Sequence, residues 1–360
     1  MKIYFNILLL IVLLKSGCAY HVIPMDDSYK MNPGVISSNT VFQVVFDQSG
    51  VIYPLSDTLR VLQAPDEIGN YAFTVRKYMK DSLKINHYDD EKELDTLAKR
   101  IKESLGPDTK LIILIHGFSN SIPDARGTYA IARKFITEYY KENIDYVFLQ
   151  VHWDGLYHPK GRPKELISLW WKAVIYSKLV GMNGFRKLLN RFEPTTPIRI
   201  LTTSRGAAVA ISAFANQEIS EDSRSMIKKF YDYDFESILN SKINKFTNVR
   251  MALIAPAIGT YAFDSLPKNG SPINKIIIGL NENDKILKKE FIPMLKKLKL
   301  GYKLGSTAVG CDPDVFKKLD KDFPNLFVRV EFKDLDEHDG GLYLKNTAFR
   351  KEVLPQFLKD

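Results

Sequence analysis

The chain has little cysteine and little histidine, and both scarcities narrow its chemistry. Two cysteines, Cys18 and Cys311, and six histidines occur among 360 residues. Cys18 lies in a leader segment that we expect to be removed or lipidated, so Cys311 has no partner for a structural disulfide. The same count disfavours a thiolate metal site, and we expect neither a metal nor an organic cofactor.

The chain also lacks a concentrated block of charge. Its formal net charge is +9, and the lysines and arginines are spread over the whole length. Lys2 and Lys15 belong to the leader, which leaves +7 for the remainder. There is no zinc-finger spacing, aromatic RNA-binding signature or basic heptad helix, and we therefore expect no nucleic-acid partner.

Long hydrophobic runs are absent except near the N-terminus. Met1 and Lys2 precede the stretch Phe5–Leu14, which is apolar except for Asn6, and small residues follow up to Ala19. An apolar stretch of about ten residues is too short to cross roughly 30 Å of hydrocarbon. We interpret residues 1–19 as a signal peptide for export.

Two processing routes of this leader stay open. Cleavage after Ala19 would release a secreted protein, whereas cleavage before Cys18 would leave a lipoprotein anchored at the cell envelope. The end of the leader is similar to a bacterial lipoprotein signal, but Lys15 stands where an aliphatic residue is usual. A lipidated Cys18 would bring the protein to a membrane surface.

Residues 20–109 are expected to add a hairpin and a helix to the main sheet. The segment Val41–Pro54 has apolar stretches on both sides of the turn Gln48–Gly50, which predicts a β-hairpin. A helix is predicted over Asp90–Gly106, with Asp90 as its N-cap and Glu93 in the capping-box position.

From residue 110 onward, apolar strands alternate with helices. The predicted strands are Lys110–Ile115, Tyr146–Val151, Ile198–Leu201, Val249–Ile254, Lys275–Leu280 and Leu326–Phe332, and the predicted helices are Pro123–Tyr140, Leu166–Asn190, Gly206–Ala215 and Thr347–Leu358. This alternation predicts an α/β fold with a doubly wound, mostly parallel sheet. We expect one core domain over residues 110–360, with helical insertions near 160–195 and 218–247.

The segment Ile198–Ala210 carries the strongest chemical signal. An apolar strand leads into Ser204, and a helix of small residues begins at Gly206. A nucleophile elbow requires this order, because its strained turn needs small neighbours and exposes the serine at a helix N-terminus. Thr202 stands where the usual G-x-S-x-G motif has its first glycine, and its methyl group should crowd the turn.

Another apolar strand ends in His116, Gly117 and Phe118, which is typical of an oxyanion loop. We expect the backbone N–H groups of Phe118 and Arg205 to form the oxyanion hole. His116 is expected to pack at the base of the loop without a catalytic role. The side chain of Arg205 is expected to help shape the pocket.

A general base and its acid can be located by their order along the chain. Among the histidines, only His338 follows Ser204, and it lies in a loop after the last predicted strand. In proteins with a nucleophile elbow, the serine comes first along the chain, the acid second and the histidine last. Asp284 follows the preceding strand and is the favoured acid, with Glu282 and Asp264 as alternatives.

These segments resemble the α/β-hydrolase superfamily from Lys110 to Tyr343, about two thirds of the chain. They are most similar to a group of poorly characterised bacterial esterase- and lipase-like serine hydrolases. That group carries an H-G-[FY]-N-x-S loop, an F-x-W-P/D-G segment and an S-x-x-D-x-x-L acid region, for which this chain has His116–Ser121, Leu149–Gly155 and Leu280–Leu287. The departures are Thr202 for glycine and Asp154 where proline is common.

The resemblance implies a serine hydrolase that cleaves an ester or related acyl bond of a small-molecule or lipid substrate. Ser204 would attack, His338 would carry the proton, and Asp284 would hold His338. Two alternatives stay open: an inactive hydrolase-fold binding protein of the cell envelope, which Thr202 favours, and acyl transfer to an acceptor other than water. We do not favour a metal cluster of His152, Asp154 and His158, because their spacing matches no standard site.

Overall fold

The structure is a computed structural model that describes residues 34–36, 39–55, 75, 80, 84, 88–139, 145–155, 166–215, 242–243, 246–267, 271–288 and 308–359. The predicted signal peptide, His158 and most of the predicted insertion at 218–247 lie outside these residues. Within the described ranges, no helix combines the length and the hydrophobicity that a membrane crossing needs.

The described strands form a single sheet. In chain order they are β1 (Gly34–Ile36), β2 (Asn39–Phe46), β3 (Lys110–Ile115), β4 (Tyr146–Trp153), β5 (Ile198–Thr203), β6 (Val249–Ile254), β7 (Lys275–Leu280) and β8 (Phe327–Glu331). Across the sheet the order is β1-β2-β4-β3-β5-β6-β7-β8. β1 runs antiparallel to β2, and the other neighbouring strands are parallel. The predicted α/β class with a mostly parallel sheet is confirmed.

Helices lie in most of the connections between these strands and after β8. They are α1 (Asp90–Ser104), α2 (Ile122–Tyr139), α3 (Leu166–Leu179), α4 (Arg186–Leu189), α5 (Gly206–Phe214), α6 (Pro313–Asp322), α7 (Gly340–Lys345) and α8 (Leu354–Leu358). π-helical segments, Val180–Phe185 and Phe349–Val353, lead into α4 and α8, and a 3₁₀ turn covers Thr260–Ala262. The predicted helix Thr347–Leu358 is present, with a π-helical middle part, whereas α6 and α7 are not predicted from the sequence.

The side chains of β3 show how the sheet is covered. Leu111, Ile113 and Ile115 pack on one face with α1, α3, α5 and α6. Ile112 and Leu114 pack on the other face with α2, α7 and α8. Every residue of β3 is buried, because successive side chains of a strand point to opposite faces and helices cover both.

The start of α1 differs from the prediction. Asp89, and not Asp90, is the N-cap, since its side chain accepts a hydrogen bond from the N–H of Lys92 at 3.0 Å. Glu93 does not complete a capping box. Its Oε2 instead accepts from the N–H of Leu55 at 3.0 Å, which ties α1 to the segment after β2.

The predicted hairpin Val41–Pro54 is present only as a turn and one bridge. Its first arm is β2, but the second arm pairs through a single bridge between Ile52 and Phe46. The buried carboxylate of Asp47 accepts from the N–H groups of Ser49 at 2.8 Å and Val51 at 3.0 Å. These bonds satisfy the backbone of the turn, so the chain there needs no strand partner.

Candidate active site

Ser204 lies in a strained turn at the carboxyl edge of the sheet, between β5 and α5. Its φ angle is +49°, in the left-handed region that residues other than glycine seldom adopt. The turn is held by the N–H of Ser204, which donates to Ile254 O at 2.9 Å, and by the N–H of Ala257, which donates to Ser204 O at 3.1 Å. Such strain persists only where the surroundings enforce it, and it is common at functional sites.

The two small-residue positions of the elbow behave differently. A Cβ on Gly206 would lie 2.5 Å from the carbonyl oxygen of His116, so glycine is required there. Thr202 is fully buried inside β5, where it is in register with Ile115 and Leu253. The expected crowding by Thr202 does not interrupt β5, which continues to Thr203.

The structure brings Ser204, His338 and Asp284 together, although Ser204 and His338 are far apart in the chain. His338 Nε2 lies 2.7 Å from Ser204 Oγ, and His338 Nδ1 lies 2.6 Å from Asp284 Oδ2. An ionised carboxylate only accepts hydrogen bonds, so Nδ1 carries the proton and Nε2 is free to accept from the hydroxyl of Ser204. The imidazole therefore has the orientation that a general base for Ser204 would need.

Asp284 is completely buried and its oxygens accept from several donors. Oδ1 accepts from the N–H groups of Ile286 and Leu287, each at 3.0 Å. Oδ2 accepts from His338 and, at 2.8 Å, from the hydroxyl of Tyr343. Burial by itself would raise the pKa of Asp284, but the hydrogen bond and charge of His338, with the Leu287 and Tyr343 donors, hold its pKa below the ordinary value.

The alternative acids lie outside this cluster. The carboxylate of Glu282 is about half exposed and pairs with Arg329 at 3.4 Å. Asp264 is exposed. Among the described residues, the carboxylate that bonds to His338 Nδ1 is that of Asp284, so the geometry favours Asp284 as the acid.

The predicted oxyanion loop packs directly on Ser204. A Cβ on Gly117 would lie 2.8 Å from Ser204 Cβ and 3.4 Å from Ser204 Oγ. Gly117 is therefore the residue that lets this loop approach the serine, and the N–H of Phe118 belongs to the next peptide. The ring of Phe118 meets the ring of Trp170 edge-on at 5.4 Å, which supports the loop from α3.

His116 fixes the orientation of that peptide. Its Nε2 accepts from the N–H of Trp153 at 3.1 Å, so Nδ1 carries the proton and donates to Gly117 O at 2.8 Å. A planar trans peptide holds its C=O and N–H in opposite directions, so this bond also directs the N–H of Phe118 away from the His116 ring. Burial lowers the pKa of His116 to about 4. The hydrogen bond to the Gly117 carbonyl and the charge of Asp154 act in the opposite direction and raise the pKa, but their effect is smaller. The ring is neutral at physiological pH.

The side chain of Arg205 does not shape a pocket as expected. It is 1 % exposed and turns into the core, away from solvent. Its guanidinium donates to Ser177 Oγ at 3.1 Å, Ala257 O at 2.9 Å and Val174 O at 3.2 Å. Arg205 therefore ties α3 and the loop after β6 to the elbow, while its backbone begins α5.

Sequence reasoning missed Asn281 and Tyr343, which support the acid. Asn281 Nδ2 donates to the hydroxyl of Tyr343 at 2.8 Å, and that hydroxyl in turn contacts Asp284. Tyr343 lies in α7, a helix that is not predicted from the sequence. An asparagine directly after an apolar strand was the available signal, but nothing in the sequence links it to a tyrosine 62 residues later.

The metal cluster that the sequence analysis disfavours is described only in part, because His158 lies outside the described residues. Among those residues, no group of three or more His, Cys, Asp or Glu side chains is arranged to hold a metal ion. His152 and Asp154 are both buried, and the ring of His152 packs against those of His116 at 5.8 Å and Tyr129 at 5.3 Å.

Comparisons with known proteins add little to this geometry. No protein-family model matches the chain, and no curated protein matches it. An uncharacterized protein from Bacillus cereus ATCC 10987, known from a crystal structure, is similar over 78 % of this chain and 77 % of its own, at 14 % identity and a TM-score of 0.29. A similarity this low carries no argument about fold family or function.

Proposed function

We propose that this protein is a serine hydrolase that cleaves an ester or a related acyl bond. The observation that carries the proposal is the position of His338, whose two ring nitrogens lie within hydrogen-bond distance of Ser204 Oγ and Asp284 Oδ2. A serine, a histidine and a buried carboxylate in this order of contact are the parts of an acyl-transfer triad. The strained φ angle of Ser204 supports the same conclusion.

The proposed chemistry follows from a neutral His338 that carries its proton on Nδ1, beside an ionised Asp284. Ser204 Oγ attacks the acyl carbonyl while His338 Nε2 takes its proton and then returns it to the leaving group. Asp284 stays ionised and stabilises the imidazolium. The N–H groups of Phe118 and Arg205 would stabilise the oxyanion, and water, activated by His338, would release the acyl group from Ser204.

We propose in addition that the α/β fold of this chain is that of the α/β hydrolases. It is supported by the order of the site along the chain, with Ser204 after β5, Asp284 after β7 and His338 after β8. The close packing of Gly117 and Gly206 between the ends of β3 and β5 supports it as well.

We also propose that the protein is exported, on the basis of residues 1–19. The two processing routes differ in the mature N-terminus, which begins with a lipidated Cys18 in one and with Tyr20 in the other. Intact mass of the protein from its native host distinguishes them, because lipidation of Cys18 adds the mass of its acyl chains whereas cleavage after Ala19 adds nothing. An unprocessed Met1 in the exported fraction would contradict both routes.

The proposed reaction is tested by labelling with a fluorophosphonate probe, which reacts covalently with activated serines. Wild type should be labelled, Ser204→Ala should not, and Ser104→Ala at the end of α1 serves as the matched control. Circular dichroism of Ser204→Ala shows whether it is folded. A folded wild type that resists labelling would overturn the hydrolase proposal and favour the binding-protein alternative.

A further inference from the structure

Asn281, the first residue after β7, is held in one orientation at the base of the site. It is 1 % exposed, and its Oδ1 accepts from the N–H of Asn283 at 3.0 Å. Its Nδ2 therefore faces the opposite way, where it donates to Leu335 O at 2.8 Å and to the hydroxyl of Tyr343 at 2.8 Å. Both hydrogens of the amide are used.

These two acceptors bracket the residue that would serve as general base. Leu335 lies before His338 in the chain and Tyr343 lies after it, at the buried side of α7. One side chain at the end of β7 thus holds both ends of the loop that carries His338. The same strand end leads into Asp284, so Asn281 couples the positions of the base and the acid.

The hydroxyl of Tyr343 links this arrangement to the acid itself. Because it accepts from Asn281, its single proton is donated to Asp284 Oδ2 at 2.8 Å, the atom that also accepts from His338 at 2.6 Å. Burial raises the pKa of Tyr343, with the charge of Asp284 acting in the same direction, so the phenol remains a donor at physiological pH.

We propose that Asn281 and Tyr343 form a clamp that positions His338 against Asp284 and sets how strongly the acid holds the imidazole proton. The clamp rests on the proposed hydrolase function. Neither residue contacts the reacting atoms, so both are positioning residues. Loss of the Tyr343 proton donor removes one of the bonds that hold the pKa of Asp284 below its ordinary value, so the carboxylate should hold the Nδ1 proton of His338 more strongly.

Other ionisable groups near the acid do not take over this role. Cys311, before α6, interacts electrostatically with Asp284, but burial raises its pKa to about 12 and the thiol stays protonated. Asp312 and Lys288 act on Cys311 with opposite charges. Among the described residues, the titratable side chains that hydrogen-bond to the Asp284 carboxylate are His338 and Tyr343.

The clamp is tested by the pH dependence of fluorophosphonate labelling, which yields a maximal rate and an apparent affinity. Tyr343→Phe keeps the buried ring beside Phe332, at 5.2 Å between ring centres, and should fold. Loss of one hydrogen bond to a charged group corresponds to roughly a 10- to 100-fold lower maximal rate. The apparent affinity should not change, and the acidic limb of the profile should move to higher pH.

The matched control is Tyr146→Phe, which changes a buried tyrosine at the first residue of β4, at the opposite end of the strands from the site. It should label as wild type does. Asn281→Ala should lower the maximal rate at least as much as Tyr343→Phe, and the double variant should be less than additive, because both residues act through one chain of bonds.

The outcomes separate the clamp from the hydrolase proposal. If wild type is labelled and Tyr343→Phe has the same rate and the same pH profile, the clamp is overturned while the hydrolase proposal stands. A lower thermal stability without a kinetic change overturns the clamp in the same way. If wild type itself is not labelled, both proposals fall.

Discussion

The α-carbon of Gly206 lies so close to the end of β3 that a Cβ on it would be 2.5 Å from the carbonyl oxygen of His116. This contact joins the two parts of the proposed site, because Gly206 starts the helix behind Ser204 and His116 starts the predicted oxyanion loop. The approach also places Gly117 against Ser204, at 2.8 Å between a Cβ on Gly117 and Ser204 Cβ. The distance between Ser204 and the loop at Gly117 therefore depends on the absence of a side chain at Gly206.

Gly206→Ala should disrupt this contact. The added methyl group must push β3 and α5 apart, and overpacking of this kind costs about 1–3 kcal/mol. We expect a lower free energy of unfolding in urea and at least about tenfold slower fluorophosphonate labelling. Gly127→Ala in α2 is the matched control, since a Cβ there meets nothing within 4 Å. It should stabilise the protein by about 0.5–1 kcal/mol, as alanine favours a helix over glycine.

Asp284→Asn should slow labelling strongly, whereas Glu282→Gln should not. The amide at 284 can donate to His338 Nδ1 and so favour the tautomer whose Nε2 carries a proton and cannot accept from Ser204. A change of tautomer in such a triad costs about 10⁴ in rate. Glu282 is about half exposed and pairs with Arg329, so its variant should stay within about twofold of wild type. Equal loss in both variants would contradict the assignment of the acid.

The protein should lose stability as the pH falls from about 6.5 to 4. In the folded state burial lowers the pKa of His116 to about 4, whereas an unfolded histidine titrates near 6.5. Between these two pH values the unfolded state binds a proton at His116 and the folded state does not. The free energy of unfolding therefore falls by up to about 3 kcal/mol between pH 6.5 and pH 4. Burial also lowers the pKa of His152, which adds to the effect in the same direction.

The variant His152→Leu measures how much His152 contributes to this loss of stability at low pH. Both ring nitrogens of His152 are buried without a hydrogen-bond partner in the described part of the structure. Leucine removes these polar atoms, so the variant should be at least as stable as wild type at pH 7.5 and should lose less stability by pH 5. Urea unfolding at the two pH values measures the difference. Parallel losses in the two proteins would show that His152 does not contribute.

Arg205→Lys should weaken the link between α3 and the elbow. Lysine has one nitrogen, which cannot reach the three acceptors that the guanidinium fork reaches together. A loss of about 2–3 kcal/mol in the free energy of unfolding is expected, with slower labelling because Ala257 also contacts Ser204. Arg100→Lys on the exposed face of α1 is the control and should change neither quantity.

Much of the core could be predicted because apolar periodicity is local. β6 and β7 match their predicted bounds, and β3 does so as well, since each is an apolar run between polar turns. α6 and α7 were missed: α6 has a single buried residue, Leu319, and α7 is only six residues long, too short for an apolar period to show. The N-cap of α1 was misassigned by one residue, because adjacent aspartates offer two candidates that only the backbone angles distinguish.

For the site, too, some features could be predicted from the sequence and others could not. The order of Ser204, Asp284 and His338 along the chain could be determined from the sequence, because the carboxyl ends of parallel strands meet at one edge. The inward turn of Arg205, the tautomer of His116 and the bonds of Asn281 could not. Each of these depends on which backbone carbonyls surround a side chain after the helices have packed.

The sequence by itself determined the α/β class, the succession of strands along the chain and the serine and histidine that a triad would use, because these depend on local apolar patterns and on residue type. The tertiary structure alone decided which of the candidate carboxylates faces His338 and which backbone oxygens approach Gly206. These are contacts between segments up to 134 residues apart, and distances of 2.6–2.8 Å between such segments are set by the packing of the whole sheet.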